Sequence, residues 1–124
     1  MTIQPDDFLK LARELAQGEE EIHWRCAASR AYYAAYHTCL PLGNRFPPSK
    51  KDIGSHQKLI LGLKESPDSA IRALGNRLSS LRDLRASSDY KLGDSFEKND
   101  SHRAVKEAEE ILSRHAKAAG KYPP

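Results

Sequence analysis

The chain has 124 residues, 39% of them hydrophobic, and its 20 lysines and arginines stand against 17 aspartates and glutamates for a net charge of +3. That length suits one domain, residues 1–124, able to bury a core without metal or disulfide staples, and the near balance of charge excludes a strong basic field while permitting nucleic acid. No basic start is followed by an apolar run and no stretch approaches the roughly 20 apolar residues of a membrane span, which predicts a cytoplasmic protein with no membrane partner.

Pro5, Asp6 and Asp7 suit a helix start; Phe8, Leu11, Ala12 and Leu15 then recur at helical spacing until Gly18 stops the run. Glu19 to Glu21 supply first-turn acids for a second helix reaching about Leu40. Trp24, Ala27, Ala28, Ala31, Ala35 and Cys39 make that helix apolar on more than one side, the pattern of a central element. Cys26 and Cys39 fall roughly 20 Å apart on it and cannot pair, which fits a reducing compartment. Pro41, Gly43, Pro47, Pro48 and Gly54 predict a loop over 41–54. Ser55 then caps a short helix carrying Leu59, Ile60 and Leu63. Pro67 and Asp68 restart the chain into a longer helix, where Ile71, Leu74, Leu78 and Leu81 step by three and four until the stripe lands on Arg85. Asn99, Asp100 and Ser101 offer caps for a last helix facing Val105, Ala108, Ile111 and Leu112 inward, and Gly120, Pro123 and Pro124 predict a frayed tail. Period-two alternation is absent, so the fold class is all-α: an antiparallel up-and-down bundle of four to five helices.

Two features place chemistry inside this bundle. On the second helix Arg30, Tyr33 and His37 fall at i, i+3 and i+7 and share one stripe. On the fourth, Arg85 and Asp89 form an i, i+4 pair of opposite charge at the end of a core stripe, with Tyr90 next to it. One reading makes Arg85 a structural clamp, held by Asp89 and bonded to a carbonyl or tyrosine hydroxyl of the central helix. The other makes it a phosphate contact in a cleft completed by tyrosine hydroxyls and His37. An arginine and a histidine on one face also suffice to cleave RNA, the imidazole moving the 2′-hydroxyl proton and the guanidinium stabilising the phosphorane. Arg30, His37 and Arg85 are therefore the candidate catalytic residues, and Tyr33, Asp89 and Tyr90 the candidate binding residues. His56 reads as part of a helix start. His23, His102 and His115 lack acidic or thiol partners at ligand spacing, so neither a metal nor another cofactor is expected.

Arg25, the run Ala28-Ser29-Arg30-Ala31-Tyr32-Tyr33-Ala34-Ala35-Tyr36-His37, then Ser55-His56-Gln57 with Leu59, Arg85 with Ser88-Asp89-Tyr90, and Ala104 with Glu107-Ala108-Glu109 together resemble the HEPN-domain superfamily. The likeness is to the branch with an SRAYYAxxH helix and a later RxxxDY element. It implies an up-and-down helical bundle, often a homodimer, frequently encoded with a minimal nucleotidyltransferase as a toxin–antitoxin pair. In active members it implies a metal-independent endoribonuclease whose arginine, four to six residues and histidine come from both subunits. The family places that motif on the later long helix, where Arg85 is followed by Ala86-Ser87-Ser88-Asp89-Tyr90 without histidine. Arg30 and His37 match the spacing on the earlier helix, and Tyr90 lies near a tyrosine that the partner enzyme modifies in related toxins. Two functions follow as expectations: a binding module that dimerises, docks a nucleotidyltransferase and recognises nucleotide or RNA, or a ribonuclease toxin cutting single-stranded RNA.

Overall fold

A computed structural model describes residues 2–123, all α-helical apart from turns and loops. Five helices follow in order: α1 (Pro5–Ala16), α2 (Glu21–Gly43), α3 (Ser55–Lys64), α4 (Ser69–Tyr90) and α5 (Lys98–Ala118), with a 3-10 turn at Ala119–Lys121. Short connections at 17–20, 65–68 and 91–97 join helices that pack on one another, so each of those pairs reverses direction. The expected all-α bundle is present, with five helices among the described residues. None of them is long and apolar enough to cross a membrane.

α2 is the axis of the bundle and packs against all four other helices, most extensively α1 and α5. Ala27, Ala28, Ala31, Ala34 and Ala35 are completely buried, and their small side chains let neighbouring backbones approach from several sides. Tyr32 is the large exception, fully buried among them. On α4 the stripe Ile71, Leu74, Leu78 and Leu81 is buried and Arg85 continues it at 8% exposure, as the spacing predicts. Cys39 is buried and Cys26 exposed, both with free thiols.

Four boundaries differ from the sequence reading. α2 runs on through Pro41 to Gly43, because a proline in the last turn forfeits a single hydrogen bond rather than a helix, so the loop begins at 44. Gly54, not Ser55, is the cap residue of α3, and Ser55 is its first helical residue. α5 starts at Lys98, where Glu97 and Asp100 form a reciprocal capping box. The tail is docked rather than frayed as far as Tyr122, whose hydroxyl donates to Asp68 at 2.7 Å and whose ring packs edge-on against Phe46; Pro124 lies outside the described residues. The expected start of α4 is observed, with Asp68 accepting from the Ala70 amide at 2.9 Å.

Arg25 sets the height of α4 against α2. It is 6% exposed, pairs with Glu21 at 2.8 Å, and donates to the carbonyls of Ser87, Ser88 and Lys91 at 3.2, 3.0 and 3.3 Å and to that of Asp94. Phe96 lies 5.5 Å beneath the same guanidinium. One cation thus satisfies carbonyls that the end of α4 and the following loop would otherwise leave open. It fixes the register at which the segment from Arg85 to Tyr90 meets α2.

Candidate phosphate-binding crevice

The α2 stripe and the end of α4 meet in one cluster. Arg30 and Arg85 both lie over the Tyr33 ring, their guanidinium carbons 5.2 and 5.4 Å from its centroid. Arg85 donates from Nη2 to the Tyr33 hydroxyl at 3.2 Å, and its Nε stands 3.7 Å from Asp89 Oδ2, an ion pair too long to be a hydrogen bond. Asp89 is held from the other side by the Ser29 hydroxyl at 3.1 Å, which in turn accepts from Arg30 at 3.4 Å. Tyr90 is 74% exposed, yet its ring comes within 5.7 Å of the Arg85 guanidinium. His37 is exposed at the rim, stacked 5.5 Å from Phe8 of α1 and 6.1 Å from Tyr33. All six residues singled out from sequence therefore gather on α2 and α4 of one chain.

Three residues join them that sequence reasoning missed. His56, in the first turn of α3, stacks on Tyr36 at 4.2 Å and lies 5.5 Å from Tyr32, whose hydroxyl is 2.6 Å from its Nδ1. Arg82 acts electrostatically on both Tyr32 and His56. Phe8 supports Arg30 at 5.6 Å. The helical period carried the signal for Arg82, one turn before Arg85 on the same face. For His56 the one signal was the Ser55-His56-Gln57 element of the family resemblance, since periodicity says nothing about which helix a neighbour's first turn will touch.

The electrostatics are lopsided. Among the described residues Arg30 and Arg82 form no salt bridge, and Arg85 has only Asp89. Arg85 Nε is buried and donates to nothing. Burial pushes the Tyr32 hydroxyl well above the ordinary tyrosine range, so it stays protonated. Burial, then the charges of Arg85, Arg82 and His37, hold His56 below the usual histidine value of 6.5. An open groove of about 860 Å³ lies elsewhere, between α4 and α5. There Arg77 pairs with Glu107, Arg103 with Asp100 and Arg114 with Glu110, so its three arginines are each matched by a carboxylate while Lys106 is left without an ion pair among the described residues. No three His, Cys, Asp or Glu side chains among the described residues come together as metal ligands.

A shallow surface holding three guanidinium groups, two imidazoles and tyrosine rings against one carboxylate is suited to an anion carried on a flat, stackable body. The family model described as HEPN domain matches residues 4–118. No curated protein matches the chain.

Proposed function

The chain belongs to the HEPN domain family, and from that premise we propose that it is a cytoplasmic binding module, one half of a toxin–antitoxin-like pair with a minimal nucleotidyltransferase, that recognises the phosphate of a nucleotide or RNA. The partner enzyme and the homodimer rest on the likeness of the SRAYYAxxH and RxxxDY elements to that branch of the family. The phosphate site rests on one observation: Arg85 is 92% buried, its one carboxylate stands 3.7 Å from Nε, and its Nη1 makes no hydrogen bond among the described residues, beside Arg30 and Arg82, which form no salt bridge. A buried cation left short of partners is costly, and a planar fork with free N–H groups is the geometry that a phosphate completes. In this reading Tyr33 and Asp89 orient the Arg85 fork, Arg30 and His37 close the rim, and Tyr90 covers the outer side.

Fluorescence anisotropy with a fluorescein-labelled single-stranded RNA, with ADP as competitor, tests the site. Wild type binds both, and Arg85→Lys, which keeps the charge and loses the fork, weakens binding roughly tenfold. A wild-type protein that binds neither overturns the phosphate reading. Co-expression with a nucleotidyltransferase encoded beside this gene tests the pairing: the two proteins co-elute, and separate elution refutes it.

The exposure of His37 beside the arginines favours a second reading, a metal-independent endoribonuclease. His37 takes the proton of a 2′-hydroxyl as it attacks the adjacent phosphorus, Arg30 and Arg85 stabilise the pentacoordinate oxyanion, and the 5′-oxygen leaves with a returned proton. Cleavage of single-stranded RNA in chelator, lost in a folded His37→Ala variant, supports this reading; uncut RNA with wild type rejects it.

A further inference from the structure

His56 has a constrained chemistry that the binding reading does not use. Tyr32 is completely buried, and among the described residues its hydroxyl has a single partner, His56 Nδ1 at 2.6 Å. A buried O–H that donated to nothing would carry its whole desolvation cost, so the hydroxyl points its proton at Nδ1. An imidazole that accepts at Nδ1 and is uncharged carries its one proton at Nε2. Tyr36, stacked at 4.2 Å, prevents the ring from tipping away. Among the described residues Nε2 has no hydrogen-bond partner and is not one of the buried polar atoms left unsatisfied, so it reaches solvent. The same holds for Arg85 Nη1. His56 and Arg85 border the same two rings: the guanidinium carbon is 5.1 and 5.4 Å from Tyr32 and Tyr33, and the imidazole is 5.5 and 5.9 Å from them.

We propose that His56 is a tautomer-locked hydrogen-bond donor for a phosphoryl group, its Nε2–H acting beside the guanidinium groups of Arg82 and Arg85. The proposal deepens the binding reading and rests on it. The groups that face the imidazole are Tyr32, Tyr33, Tyr36 and His37 from α2 and Arg82 and Arg85 from α4, with no carboxylate among them. An imidazole in that setting stays uncharged at neutral pH, because its burial and the neighbouring cations oppose a further proton. It therefore contributes direction rather than charge: Arg82 and Arg85 attract the anion, and the fixed Nε2–H selects an oxygen that presents a lone pair along its axis.

The test uses two isosteres that separate the ring's two jobs. Glutamine places an amide N–H near the position of Nε2, and asparagine places its oxygen near Nδ1. At neutral pH His56→Gln keeps affinity within about threefold of wild type, whereas His56→Asn, which still accepts from Tyr32, weakens binding by roughly tenfold. ADP, 5′-phosphorylated single-stranded RNA and the same RNA with a 5′-hydroxyl are the probes. Loss confined to the first two identifies a terminal phosphate; loss with both RNAs, the 5′-hydroxyl one included, identifies a backbone phosphodiester. Equal affinities for wild type and His56→Asn with every probe, or the reverse order of the two variants, overturns the assignment of His56 and leaves the Arg85 site standing. Absence of wild-type binding overturns both. Imidazole ¹⁵N shifts read the tautomer directly: protonation at Nε2 is expected in wild type and a mixed tautomer in Tyr32→Phe, and protonation at Nδ1 in wild type refutes the lock.

Discussion

Burial sets the acid response of this protein through two histidines. His56 lies below its ordinary value of 6.5 because of desolvation and then Arg85, Arg82 and His37, and His115 is lowered by desolvation alone. On unfolding both return to 6.5, so just below that pH the unfolded chain takes up protons that the folded chain refuses. Their contribution to stability is complete above 6.5 and disappears as pH falls through the lower folded values. Glu65 and Asp68 are also lowered, chiefly by bonds from Ser49 and Tyr122, but as acids their stabilisation is lost only as pH falls below about 4.5 and 3.8. The windows are separate. The melting temperature of wild type, followed by differential scanning fluorimetry, is therefore expected to fall between about pH 7 and pH 5, and that of His56→Asn to fall less over the same interval. An identical fall in both would show that His56 does not carry the response. Sequence exposed the Arg85–Asp89 pair and the Arg30, Tyr33 and His37 stripe because one helical period fixes both. It did not expose the Tyr32–His56 bond, which depends on how two helices dock.

Helix α3 is placed by close backbone approaches as well as by its buried Leu59, Ile60 and Leu63. A Cβ at Gly62 would stand 1.9 Å from the Phe46 carbonyl oxygen, and one at Gly75 would stand 2.8 Å from the Lys64 amide nitrogen on α3 itself. Both obstacles are backbone, so neither can swing aside. Gly62→Ala must push the loop after α2 away from α3, and overpacking of this sort costs roughly 2–4 kcal/mol, a fall in melting temperature on the order of 10 °C. Circular dichroism at rising temperature measures it, and an unchanged midpoint would mean that the loop yields freely. Helix identity was legible throughout, since caps, prolines and the three-and-four spacing agree for every element. The ends were not. Pro41 reads as a breaker, but its missing N–H falls in a last turn where one lost bond is tolerated, and Ser55 reads as a cap although the chain enters α3 one residue earlier, at Gly54. Glycines 62 and 75 are silent in sequence because what they avoid lies on another segment.

The molecule is built outward from α2, and this was legible from the apolar residues on more than one side of that helix. The residues to which phosphate recognition is assigned, from Phe8 on α1 to Tyr90 on α4, lie on one protomer, so the proposal expects binding without a dimer. The family likeness implies the opposite for a ribonuclease, whose arginine and histidine come from both subunits. Dilution therefore separates the two functions. Sedimentation at high concentration is expected to give about twice the 13.9 kDa of the chain, with a melting temperature that rises with concentration because association stabilises the folded state. At concentrations where sedimentation shows the monomer, ADP binding persists with an unchanged dissociation constant if the crevice is complete. A ribonuclease site shared between subunits would instead lose specific activity in proportion to the fraction of dimer remaining. Binding that disappears together with the dimer refutes the self-sufficient crevice, and a chain that stays monomeric at every concentration refutes the homodimer while leaving the Arg85 and His56 tests in force.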